Sequence, residues 1–97
     1  MDALRILIAD SQEQIRKSLR ALLETRTDFE VCEAASGKEA IEHVRQLKPD
    51  LVILDVSAPM LTSCFDTARD IRKIAPRSGL LIMSIDIPAA ASKAESH

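Results

Sequence analysis

Tryptophan and tyrosine are absent from this chain, and its aromatic residues are Phe29 and Phe65. A surface that stacks nucleobases needs several rings on one face, so recognition of single strands by stacking is not expected. Basic residues are not in excess either. Thirteen lysines and arginines stand against 15 aspartates and glutamates, the net charge is −2, and no basic stripe gathers along the chain. Binding to nucleic acid rests on neutralised phosphates, so no direct nucleic-acid contact is expected of this chain. Cysteine is scarce as well: Cys32 and Cys64 lie far apart, without CxxC spacing or neighbouring histidines, which argues for reduced thiols rather than a metal set. No run approaches the roughly 20 apolar residues of a membrane span. No charged leader precedes an apolar heart, because the chain opens Met1-Asp2-Ala3 and Arg5 interrupts its first apolar run. The expectation is a soluble, cytoplasmic protein with no membrane contact.

What is present is enough apolar material, 46% of 97 residues, for one modest core in one domain. Two kinds of segment alternate. "LRILIA" (4–9) is short, branched and apolar and stops at "DS", as a buried strand does. "QEQIRKSLRALLETR" (12–26) puts Ile15, Ser18, Leu19, Leu22 and Leu23 on one side, the spacing of an amphipathic helix. "FEVCEA" (29–34) alternates as a more peripheral strand, and "GKEAIEHVRQLKP" (37–49) returns to helical spacing until Pro49 ends it. "DLVILD" (50–55) carries four successive apolar residues, as a strand covered on both faces does. "FDTARDIRKIAP" (65–76) spaces Phe65, Ala68, Ile71 and Ile74 as a third helix, and "GLLIMSI" (79–85) is a fourth strand. The order β-α-β-α-β-α-β with right-handed crossovers predicts a parallel sheet with helices on both faces. Pro88 could open a helix in "DIPAAASKAESH", although so few apolar anchors favour a partly ordered tail over 86–97.

In such a sheet the carboxyl ends of the strands form the crevice where ligands are expected. Asp10 follows the first strand, Asp55 ends the third, and Ser84 lies near the end of the fourth, so all three reach one edge. Taken singly, Asp10 also reads as a turn or cap acceptor, and Ser11 with Gln14 fits a capping box for the first helix. Taken together, two converging carboxylates suit a hard cation such as Mg²⁺, a hydroxyl suits a phosphoryl oxygen, and one carboxylate could be a nucleophile. His43 reads as a surface residue of the second helix, and Met60 and Met83 as space-fillers. "ASGKEA" (35–40), with one glycine, is no phosphate-binding loop.

Four stretches, "LRILIAD", "KPDLVILDVSAPM", "DIRKIAP" and "LLIMS", make the chain resemble a response-regulator receiver domain, the phosphoacceptor half of two-component signalling. The resemblance takes in residues 4–97 and is strongest over 4–85. It implies a three-layer flavodoxin-like parallel sheet. Asp55 would accept a phosphoryl group from a histidine kinase, in a phosphorelay. Asp10, Asp55 and the Ser57 backbone carbonyl would hold Mg²⁺, and Ser84 would contact the phosphoryl group and act as a switch. Pro59 would shape the loop after Asp55.

The chain departs from the family pattern in four places. Ser11 stands where the second, more direct acidic metal ligand is usual, which weakens the cation site; Glu13 could compensate. "MLTSCF" (60–65) replaces the usual glycine-containing loop, and there Ser63 with Asp66 could cap the third helix. Ile85 occupies a position that is usually small. The fifth strand with its lysine and the last helix do not follow Ser84, so the sheet is expected to be incomplete, with Lys93 an ordinary surface residue. An exposed fourth strand then implies self-association through the sheet edge. The alternative is a pseudo-receiver or truncated remnant that is not phosphorylated and acts by protein-protein binding. The domain is not a classical enzyme, at most a phosphoacceptor that dephosphorylates itself. A small hydrolase would need a second acid beside the nucleophile, which "DVS" does not offer.

Overall fold

A computed structural model of the chain describes residues 3–55 and 61–83, with the side chains of 61–64 excepted. Over these residues the elements run β1 (Leu4–Ala9), α1 (Glu13–Leu23), β2 (Phe29–Ala34), α2 (Gly37–Leu47), β3 (Leu51–Asp55), α3 (Leu61–Ile74) and β4 (Gly79–Met83). All pairings are parallel and the strand order is β2-β1-β3-β4. The predicted alternation and the three-layer parallel sheet are found. β1 and β3 are the central strands, as their continuous apolar runs require, since both faces of each are covered.

Alternation along the strands divides the core. Leu7, Ala9, Val52 and Leu54 face α2 and α3, where they pack with Ala40, Val44, Ala68 and Ile71. Ile6, Ile8, Val31 and Ile53, also buried, occupy the opposite face, on which α1 packs against β1 and β2. Leu22 of α1 is 67% exposed, and so are parts of β4, through Leu81 and Ile82. β4 is thus an apolar rim of the described sheet.

The helix ends follow local chemistry, and the starts of α1 and α3 differ from the sequence reading. The capping box of Ser11 and Gln14 does not form: the N-cap is Gln12, whose side chain makes no cap bond, and the Asp10 carboxylate accepts from the Gln12 N–H instead. A carboxylate two residues upstream closes this turn at 2.8 Å and supersedes a serine cap. α3 begins at Leu61, not Phe65, so Ser63 lies inside the helix rather than before it. Phe65, counted as part of the apolar stripe, is 51% exposed. α2, by contrast, starts as a capped helix should, with Ser36 Oγ accepting from the Glu39 N–H. It ends at Lys48, in the left-handed region at φ 48, just before Pro49. The tail (86–97), the loop residues Ser57, Pro59 and Met60, and Ser84, Ile85 and Lys93, for all of which the sequence carries expectations, lie outside the described residues.

Candidate functional site

At the carboxyl ends of β1 and β3, next to the start of α2, the sheet opens into a cleft of about 130 Å³. Asp10, Ser11 and Asp55 line it, together with Ser36, Gly37 and Thr67. Parallel register explains the meeting of the two aspartates: Ala9 pairs with Leu54, and each is followed by its aspartate. Gly37 leaves room for α3, since a Cβ there would collide with the Thr67 hydroxyl oxygen.

Asp10 is only 3% exposed. Its N–H donates to the Ala34 carbonyl at 3.0 Å, its carbonyl accepts from Arg16 Nη1 at 2.9 Å, and its Oδ1 accepts from the Gln12 N–H. Oδ2 is buried and accepts no hydrogen bond. A carboxylate oxygen out of water without a donor is costly unless a cation meets it, so this atom fits a hard divalent ion. Asp55, half-buried at the end of β3, also has its Oδ1 buried. The two carboxylates would hold Mg²⁺, with Ser11 offering only a hydroxyl. Glu13 is exposed and does not line the cleft. Among the described residues no three acidic, histidine or cysteine side chains gather as a metal cluster. Ser57 and Ser84, the other residues expected at the site, lie outside the described residues.

The sequence reading missed the charge cluster behind this cleft. Glu33 Oε1 accepts from Arg16 Nε at 2.8 Å, and Oε2 accepts from Arg20 Nη1 at 2.7 Å and Lys17 Nζ at 3.1 Å. The side chains of Arg16 and Glu33 are 13% and 11% exposed. A signal was available: Glu33 shares its strand face with buried Val31, and an inward-facing carboxylate requires cations opposite. The Arg20 hydrogen bond, with those of Arg16 and Lys17, outweighs burial and holds the Glu33 carboxyl down at about 2.

Because the folded value lies below the ordinary one of 4.5, this group stabilises the fold fully above pH 4.5, and the stabilisation is lost as pH falls to about 2. Glu33→Gln should therefore cost about 2 kcal/mol near neutral pH, less than the full displacement implies because Arg20 and Lys17 are solvent-screened. In urea titrations the gap between wild type and variant should close between these two pH values. A gap that stays constant would contradict the assignment.

His43 lies 3.8 Å from Glu39 one turn away, on the half-buried flank of α2. Cys32 is a free thiol. A larger groove of about 540 Å³ lies between the ends of α2 and α3, at the opposite edge of the sheet from both aspartates. No helix among the described residues is long and apolar enough to cross a membrane.

The family described as "Response regulator receiver domain" matches residues 6–95. The chain is 35% identical over 81 residues to the chemotaxis protein CheY of Thermotoga maritima, covering 82% of this chain and 66% of that protein. It is 31% identical over 84 residues to the uncharacterized transcriptional regulatory protein YxjL of Bacillus subtilis, covering 86% of this chain and 38% of that one. Among solved structures, a LuxR-family two-component response regulator from Aurantimonas sp. superposes with a TM-score of 0.76 at 28% identity, over 95% of this chain and 66% of that one. The chain thus spans less than two thirds of the length of these curated relatives.

Proposed function

Because this chain belongs to the response regulator receiver family, we propose that it receives a phosphoryl group on Asp55 from the phosphohistidine of a partner histidine kinase. The observation that carries this reading is the cleft that Asp55 shares with Asp10, whose Oδ2 is buried without a donor. An Asp55 carboxylate oxygen attacks phosphorus, the P–N bond of the donor breaks, and its imidazole leaves with the electron pair. Asp10 contributes a carboxylate held beside the acceptor by the bonds to its N–H, its carbonyl and Oδ1. Asp10 and Asp55 are the residues that would hold Mg²⁺, which would supply positive charge to offset the negative charge of the phosphoryl oxygens. The Ser57 carbonyl as a third ligand and Ser84 as the phosphoryl contact are supported by the family resemblance. Attack of water on the acyl phosphate returns Asp55 to its free form, which is the self-dephosphorylation expected of such a domain. A cytoplasmic setting suits a kinase partner of this kind.

The second reading, a receiver fold that binds partners without being phosphorylated, is favoured by one observation: Ser11 removes an acid from the cation site, and no three-acid cluster forms among the described residues. Incubation with acetyl phosphate and Mg²⁺ followed by intact mass separates the two readings. The proposed function expects a gain of one phosphoryl group that hydroxylamine removes and that Asp55→Asn abolishes. No gain, under conditions that load an ordinary receiver, would establish the second reading instead.

A further inference from the structure

Arg16 sits one turn into α1, where an arginine on the polar flank would ordinarily face water. Its guanidinium is turned inward. Nε–H donates to Glu33 Oε1 at 2.8 Å while Nη1–H donates to the Asp10 carbonyl at 2.9 Å. Two N–H vectors on one rigid plane fix the distance and the angle between β2 and the end of β1.

The contacts close into two rings. In the first, Gln12 N–H meets Asp10 Oδ1, Arg16 N–H meets the Gln12 carbonyl at 3.0 Å, and Arg16 Nη1 meets the Asp10 carbonyl. In the second, Asp10 N–H meets the Ala34 carbonyl, and the adjacent Glu33 holds Arg16. Asp10 is thereby fixed at its N–H, its carbonyl and Oδ1. The remaining polar atom, Oδ2, is buried and accepts no hydrogen bond, in a residue that lines the cleft.

Resting on the phosphoacceptor reading, we infer that Arg16 is a positioning residue: anchored by Glu33, it holds the Asp10 main chain so that the Asp10 carboxylate stays set for the cation and for Asp55. Glu33 is the second member of this device, because its carboxylate is one of the two anchors, with the Asp10 carbonyl, that hold the guanidinium inward. The Gln12 N–H holds the Asp10 side chain and Arg16 holds its backbone carbonyl.

Arg16→Lys keeps the charge beside Glu33, yet an ammonium lacks the planar fork that reaches both acceptors. The test compares wild type, Arg16→Lys and Glu33→Gln in three measurements: Mn²⁺ affinity by water-proton relaxation, labelling rate with acetyl phosphate at limiting Mg²⁺, and the urea midpoint. The expected result is a loss of about tenfold in Mn²⁺ affinity for Arg16→Lys, with slower labelling at limiting Mg²⁺ and a near wild-type urea midpoint. Glu33→Gln shifts affinity in the same direction by less. Wild-type Mn²⁺ affinity in Arg16→Lys overturns the inference, as does a loss that only tracks a lowered urea midpoint. Should Arg16→Lys fail to fold, unchanged affinity in Glu33→Gln overturns it equally. A wild type that binds Mn²⁺ but takes no phosphoryl group overturns the phosphoacceptor reading alone. A wild type that does neither overturns both.

Discussion

Asp10→Asn should make the protein more stable and a much poorer phosphoacceptor. Asn keeps the Oδ1 acceptor that the Gln12 N–H requires, so the turn into α1 survives. The change removes a negative charge from a side chain that is 3% exposed and whose Oδ2 has no donor. In its place comes an amide N–H₂ facing a cleft that also holds the Asp55 carboxylate. Relief of an uncompensated buried anion should raise stability by about 1 kcal/mol, read as a shifted urea midpoint at unchanged slope. Labelling by acetyl phosphate in Mg²⁺ should fall by about a hundredfold, because the cation loses one of the two carboxylates that would hold it. Opposite signs are the signature of a residue kept for chemistry at the expense of stability. Loss of both stability and labelling would instead make Asp10 a structural cap.

Ile71→Ala should have the largest effect on folding, a loss of about 3 kcal/mol. Ile71 is 1% exposed and is the bulkiest buried side chain among those described on α3, in a core it shares with Val44, Val52 and Leu54. For a domain of this size, such a loss lowers the melting temperature by about 15 °C. Phe65→Ala, on the same helix, should change stability by less than about 0.5 kcal/mol, since the ring is 51% exposed. Thermal unfolding of the two variants side by side checks the assignment of the buried face. Equal losses would show that Phe65 is packed.

That contrast also marks how far the sequence could be read. Branched apolar runs ending in aspartate identified β1 and β3, and helical spacing identified all three helices, because burial on one or both faces leaves a periodic record. The face of α3 was less legible. At 3.6 residues per turn, Phe65 and Ile74 each sit roughly 90° from the axis between Ala68 and Ile71, so both fit an i, i+3 pattern while lying at its margins. Its start was hidden because Leu61-Thr62-Ser63-Cys64 mixes weak helix formers with a serine that also suits a cap. Asp10 was legible in both of its roles, as turn acceptor and as cleft carboxylate, and it fills both, one oxygen for each. What sequence spacing could not deliver was Arg16 and Glu33. Their meeting depends on how α1 lies across β2, a tertiary fact that local patterns do not encode.

The position of the phosphoryl group is the most direct measure of the account. Borohydride reduces an acyl phosphate to the alcohol, so a phosphorylated aspartate becomes homoserine and can be located by peptide mass spectrometry. After loading with acetyl phosphate in Mg²⁺, the expected result is homoserine at position 55 and at no other carboxylate. Homoserine at position 10, hydroxynorvaline at Glu13, or a loaded protein in which Asp55 survives reduction unchanged, would contradict it.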